Sequence, residues 1–132
     1  MFLRSSMLLL SHRKPPSQHL GIFIQSAIDK VNEHIMDSEY GREQLASDLC
    51  ISGSTLYNKL RAITGQNVSS FITSIRMKQA CQILKQNPYI RINELSYQVG
   101  FSTPRYFSQC FKKEFGLGVK EYIEKEGLAA KE

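Results

Sequence analysis

Residues 67–87 read NVSSFITSIRMKQACQILKQN, and the pattern in them is helical from end to end. Val68, Phe71, Ile72, Ile75, Ala80, Ile83 and Leu84 recur at helical spacing, with no Gly or Pro before Pro88. The spacing predicts one continuous helix of about 21 residues, roughly 30 Å long. On each side of it lies the same pattern: a short helix, a tight turn and a second helix. The long helix is therefore expected to be a strut shared by two similar units.

The likeness of the two units is residue by residue. Leu45-Ala46-Ser47-Asp48-Leu49 aligns with Leu95-Ser96-Tyr97-Gln98-Val99 at an offset of fifty, and Cys50-Ile51-Ser52 aligns with Gly100-Phe101-Ser102. One inserted residue moves the offset to fifty-one. Leu56 then aligns with Phe107, Leu60 with Phe111, Gly65 with Gly116, Val68 with Val119, Phe71 with Tyr122 and Ile72 with Ile123. A repeat that keeps its apolar positions and its closing glycine in phase marks a duplicated supersecondary unit.

Local signals agree within each copy. Gly41 is a tolerable N-cap, and Gln44 at N3 supplies half of a capping box for a helix over 42–50 with Leu45, Ala46 and Leu49 inward. Ser52 caps the next helix, which buries Leu56, Leu60 and Ile63 and ends at Gly65 in the C′ position. In the second copy Thr103 is the N-cap and Pro104 takes N1. Tyr106, Phe107, Cys110, Phe111 and Phe115 are expected to form an aromatic core face, packing against each other rather than on bases. A last helix over 119–125 mirrors the start of the strut. The expected organisation is all-α: helix-turn-helix units at about 42–65 and 92–116, joined by a linker helix over 67–87.

The flanks read differently. Residues 1–21 carry the Pro15-Pro16 pair and the four-residue apolar run 7–10, too short for a signal-peptide core or a membrane span. They are expected to lie outside the fold, as are residues 127–132. A first helix is expected over 22–37, with Ile24, Ala27, Ile28, Val31 and Ile35 on one face and Asp29, Glu33, His34 and Asp37 off it. This acidic helix is expected to cap the core rather than touch a polyanion, and His34 to be a surface side chain rather than a metal ligand.

Charge is distributed unevenly. The net +5 resolves into −4 over residues 22–50 and +8 over 51–120, where Glu94 and Glu114 are the only acids. A basic middle of this kind is the footprint of a polyanion partner. Cys50, Cys81 and Cys110 stand some thirty residues apart with no CxxC, which argues against disulfides or zinc and for a reducing, cytoplasmic setting. No His/Asp/Ser or Cys/His set converges and no glycine-rich phosphate loop is present, so an enzyme, a metal site and a cofactor are not expected.

With Leu56, Leu60 and Ile63 inward, the third helix presents Ser54, Tyr57, Asn58 and Arg61 at i, i+3, i+4, i+7. The same positions in the second copy are Arg105, Ser108, Gln109 and Lys112. Arg can bond a guanine edge at two atoms, Asn and Gln an adenine edge, and Ser and Tyr bases or phosphates; Lys and Arg a turn later suit the backbone. A single such stripe is an ordinary polar helix surface. Two matching stripes in the +8 segment point to double-stranded DNA. A helical protein-interaction module that kept the fold is the alternative.

The segments LASDLCISGSTLYNKLRAITGQNVSSFI (45–72) and LSYQVGFSTPRYFSQCFKKEFGLGVKEYI (95–123), with Arg76, Ala80 and Leu84 between them, resemble the AraC/XylS-type DNA-binding domain. The resemblance covers about 22–126, and GFSTPRYFSQCFKKEFG is its most specific part. It implies seven helices, with the third and sixth as recognition helices. It also implies base-reading positions at Ser54, Tyr57 and Asn58 and at Arg105, Ser108 and Gln109. Backbone contacts fall to Arg61, Lys112 and Lys113, and to Arg76, a characteristic arginine that is either structural or phosphate-facing. The chain departs from the family pattern at Asn58 and Gln109, where a basic residue is frequent, at Val119 in place of a common proline, and at Arg91 in place of a capping Ser. The phrasing SGSTLYNKLRAITGQNVSSFI is most similar to output domains of hybrid two-component regulators. Members usually carry a sensor or receiver domain as well, for which 132 residues leave no room. An activator of this kind would also meet RNA polymerase.

Overall fold

The computed structural model describes residues 18–128, and among them there are seven helices and no strand. They are α1 (Gln18–Glu33), α2 (Arg42–Asp48), α3 (Gly53–Thr64), α4 (Val68–Gln86), α5 (Ile92–Gln98), α6 (Pro104–Phe115) and α7 (Val119–Lys125). The expectations for the apolar run 7–10 and for Pro15-Pro16 fall outside the described residues. No described helix is long and apolar enough to cross a membrane.

The strut is α4, capped by Asn67, whose side-chain oxygen accepts from the Ser70 backbone N–H at 2.8 Å. Asn67 and Asn87 bound the helix rather than belong to it, so its 19 residues span about 28 Å. Its two halves serve different cores. Val68, Phe71, Ile72 and Ile75 pack with Leu45, Leu56, Leu60 and the Ile24, Ala27 and Val31 stripe of α1. Met77, Ala80 and Leu84 pack with Leu95, Val99, Phe101, Phe107, Phe111, Val119 and Tyr122. The first core is mostly aliphatic and the second aromatic, with Phe107 5.3 Å from Phe101 and Phe111 5.4 Å from Tyr122 between ring centroids.

Several expectations change. α1 begins at Gln18, four residues before the expected start, because Leu20 and Phe23 extend the apolar stripe onto the first core. Its helix stops at Glu33, and the chain turns through 34–37. His34 is half-buried, stacked on Tyr40 with centroids 4.3 Å apart. α2 ends at Asp48, two residues short of the expected 50, and Cys50 is exposed in the turn with φ 60°. Tyr106 is 55% exposed. Phe107 and Phe111 define the buried stripe of α6, and Tyr106 lies about 100° away from it around the helix.

Arg76, placed among the backbone-contacting residues as either structural or phosphate-facing, takes the structural place. It is 5% exposed and cannot reach a phosphate. Its Nη1 donates to the carbonyl oxygens of Ile35 and Val99, and its Nη2 to those of Asp37 and Tyr40. One buried guanidinium thus donates to the carbonyls that follow α1 and to the one that ends α5; of these, the Asp37 oxygen also accepts from the Tyr40 N–H.

Candidate nucleic-acid interface

The two helices with polar outward stripes are fixed at both ends. At α3, Ser52 Oγ accepts from the Thr55 N–H at 3.1 Å; at α6, Thr103 Oγ1 accepts from the Tyr106 N–H at 3.2 Å, and Pro104 pre-sets the first turn. Both close on a left-handed glycine, Gly65 at φ 73° and Gly116 at φ 81°, whose N–H groups return to the Arg61 and Lys112 carbonyls. Leu56 and Leu60 in α3, and Phe107 and Phe111 in α6, are fully buried. Each such side chain stabilises by about 1.5–3 kcal/mol, so neither helix can rotate its stripe without large loss.

Ser54, Tyr57, Asn58 and Arg61 are all exposed along α3. Arg61 stands 6.0 Å from the Tyr57 ring centroid, a cation–π distance that draws the guanidinium back along the stripe. On α6, Arg105, Gln109, Lys112 and Lys113 are exposed and Ser108 is half-buried. Of the ten residues expected at the interface, nine therefore lie on these two helices, and Arg76 does not. Among the described residues the one ion pair is Lys30–Glu33 on α1, so no carboxylate neutralises Arg61, Arg105, Lys112 or Lys113.

A groove beside the first stripe brings in residues the sequence reading passed over. It is lined by Arg42, Gly53, Ser54, Tyr57, Asn67, Val68 and Ser69, so the first turns of α2, α3 and α4 meet there. Arg42 was hidden by the acid-rich segment around it. The repeat carries no signal for a cation at either place, since Arg42 corresponds to Ile92, and Lys120 to Ser69. Arg42 and Lys120 are exposed, and each stands in the first turn of a helix flanking α3 or α6.

The remaining titratable groups describe packing rather than chemistry. Burial pushes the Cys81 and Cys110 thiols up, which disfavours reactive thiolates. Burial lowers the Arg76 pKa, an effect that Asp37 opposes. Among the described residues no group of His, Cys, Asp and Glu is arranged to hold a metal ion.

A family model described as a helix-turn-helix domain matches residues 45–125. Over 99 residues the chain is 36% identical to histidine kinase P4 of Formosa agariphila, a match covering 75% of this chain and 7% of that protein. Over 113 residues it is 36% identical to the Msm operon regulatory protein of Streptococcus mutans, covering 81% of this chain and 40% of that protein. The chain thus spans less than half the length of either curated relative. Among solved structures, the C-terminal domain of AraT, a response regulator from Geobacillus stearothermophilus, is similar with a TM-score of 0.70 and 26% identity, covering 86% of this chain and 88% of that one.

Proposed function

The chain belongs to the AraC/XylS-type helix-turn-helix family of DNA-binding transcription regulators, and from that premise we propose that it reads two adjacent major-groove half-sites with α3 and α6. In this reading Ser54, Tyr57 and Asn58 meet the base edges of one half-site, and Arg105, Ser108 and Gln109 those of the other. Arg61, Lys112 and Lys113 hold phosphates, joined by Arg42 and Lys120 at the flanks. Arg105 in the first turn of α6 is suited to a bidentate guanine contact, and Asn58 and Gln109 to adenine. The chemistry is recognition, with no reaction.

The observation that carries this reading is the pairing of two capped, immobile helices with exposed stripes on one continuous strut. At about 28 Å the strut is close to the roughly 34 Å between major-groove faces one turn apart. The unpaired cations on both stripes supply the phosphate attraction. The relatives that extend far beyond the matched region support a module whose signal arrives from a sensor or receiver domain, acting on cytoplasmic DNA and, in an activator, on RNA polymerase.

The test is a respaced operator. A site selected by the chain from random DNA should contain two dissimilar half-sites about 10 base pairs apart. Because a helical strut does not stretch as a glycine-rich linker does, inserting about five base pairs puts one head on the wrong face. Most of the affinity gain over random DNA should vanish. Equal binding to the original and respaced duplexes would refute the two-headed reading.

A further inference from the structure

Arg76 sits where the two cores part. Ile75 belongs to the first and Met77 to the second, and the guanidinium between them is buried against both units. Three of its four acceptors, the carbonyls of Ile35, Asp37 and Tyr40, lie on the segment joining α1 to α2, in the first unit. The fourth, the Val99 carbonyl at 2.8 Å, is the C-cap of α5, where the chain turns towards recognition helix α6. Next to it Gly100 has φ 83°, and a Cβ there would lie 2.6 Å from Arg76 Cζ and nearer still to Nη1 and the Ile35 carbonyl oxygen. The equivalent turn of the first copy carries Cys50, exposed. The second turn is thus shaped to admit the guanidinium, and the first is not.

We propose that Arg76 is a positioning residue: it fixes the angle between the two helix-turn-helix units, and so sets the spacing and phase of the half-sites the domain reads. A guanidinium suits this task because its planar fork lets Nη1 bridge Ile35 of the first unit and Val99 of the second while Nη2 holds Asp37 and Tyr40, whereas apolar contacts at the seam would permit sliding. An ammonium has three donors for four carbonyls and no fixed plane, so lysine can keep the charge without the geometry. The inference rests on the two-headed reading and adds what holds the heads in register.

The experiment compares the wild-type chain with Arg76→Ala and Arg76→Lys on three duplexes. One carries the selected site, one has the second half-site scrambled, and one has the half-sites moved by one or two base pairs. Affinities come from fluorescence anisotropy and folding from circular dichroism. Rigid linkage should give the wild type a gain of about 10²-fold or more from the second half-site. Arg76→Ala should bind the single half-site within about twofold of wild type, yet lose about tenfold of that gain and tolerate the shifted spacing. Arg76→Lys should fall between them. A variant that keeps the full gain and the wild-type spacing preference overturns the proposal. So does equal loss on single and double sites, or failure of both variants to fold, since either makes Arg76 a core stabiliser. A wild type with no gain from the second half-site overturns the two-headed reading itself, and the positioning role with it.

Discussion

Three of the four glycines that take a left-handed backbone among the described residues close a helix or a turn but differ in what surrounds them, and the difference can be measured. Gly65, Gly100 and Gly116 have φ of 73°, 83° and 81°. An alanine at any of them incurs the left-handed penalty of about 1–2 kcal/mol. At Gly65 and Gly116 nothing lies within 4 Å of the added Cβ, so that penalty is the whole cost. At Gly100 the Cβ would occupy the space of the Arg76 guanidinium and the Ile35 carbonyl oxygen. Nη1 must then withdraw from Ile35, from Val99 or from both, at about 1.5–3 kcal/mol per charge-assisted hydrogen bond. Even one lost bond brings Gly100→Ala to about 3–5 kcal/mol, a large part of the roughly 5–15 kcal/mol of a domain. Urea denaturation of the three alanine variants, followed by far-ultraviolet circular dichroism, reads the difference directly. Gly100→Ala should lie about 2–3 kcal/mol below the other two. If it matched Gly116→Ala within about 0.5 kcal/mol, steric occupancy by Arg76 would not be what requires glycine there.

Other consequences follow from the same geometry. Arg105→Ala should weaken specific binding by about 1–3 kcal/mol and relax preference at one base position, seen by repeating the site selection. Lys112→Ala should weaken all sequences alike and reduce the salt slope of binding by about one; equal losses on specific and random DNA in both variants would contradict the division between base and phosphate contacts. Thr103→Ala removes the cap on the Tyr106 N–H and should cost about 1 kcal/mol in urea melts, with weaker binding at the second half-site. Burial, helped by its hydrogen bond to Asp48, raises the Tyr40 pKa above its usual value of 10.0, so the folded state holds a proton that the unfolded chain releases. That stabilisation is present below about pH 10 and is lost as pH rises beyond it. Stability should therefore fall more steeply above that pH in wild type than in Tyr40→Phe, and parallel curves would remove Tyr40 as the cause.

What the sequence made legible were features set within one or two helical turns. The caps at Ser52 and Thr103, the terminators Gly65 and Gly116 and the buried pairs Leu56–Leu60 and Phe107–Phe111 are local, and their spacing is enough to orient the stripes. Residues 1–21 were expected outside the fold, and the start of α1 within them is set by tertiary packing of Leu20 and Phe23, which outweighs the poor helix propensity of Gly21. Arg76 was only half legible, left as either structural or phosphate-facing, for a different reason. Its acceptors lie between 23 and 41 residues away, and a charge on an apolar helix reads as exposed until the carbonyls that neutralise it are in place.

Duplication explains the architecture, but the departures from duplication carry the information. Apolar positions and terminators stay in register across the copies, whereas the outward residues do not. The first copy ends its stripe with a cation, Arg61, while the second opens with one, Arg105, and closes with Lys112. The flanks change too: Arg42 precedes the first recognition helix, whereas Lys120 follows the second. In the proposed reading, two heads of different chemistry on a strut that cannot turn end for end should give the chain a direction on DNA. A palindrome would satisfy one head at the expense of the other, so in the two-headed reading the matching site should be asymmetric. Its orientation relative to a promoter then fixes which face of the domain meets whatever is bound next to it, and inverting the site presents the other face.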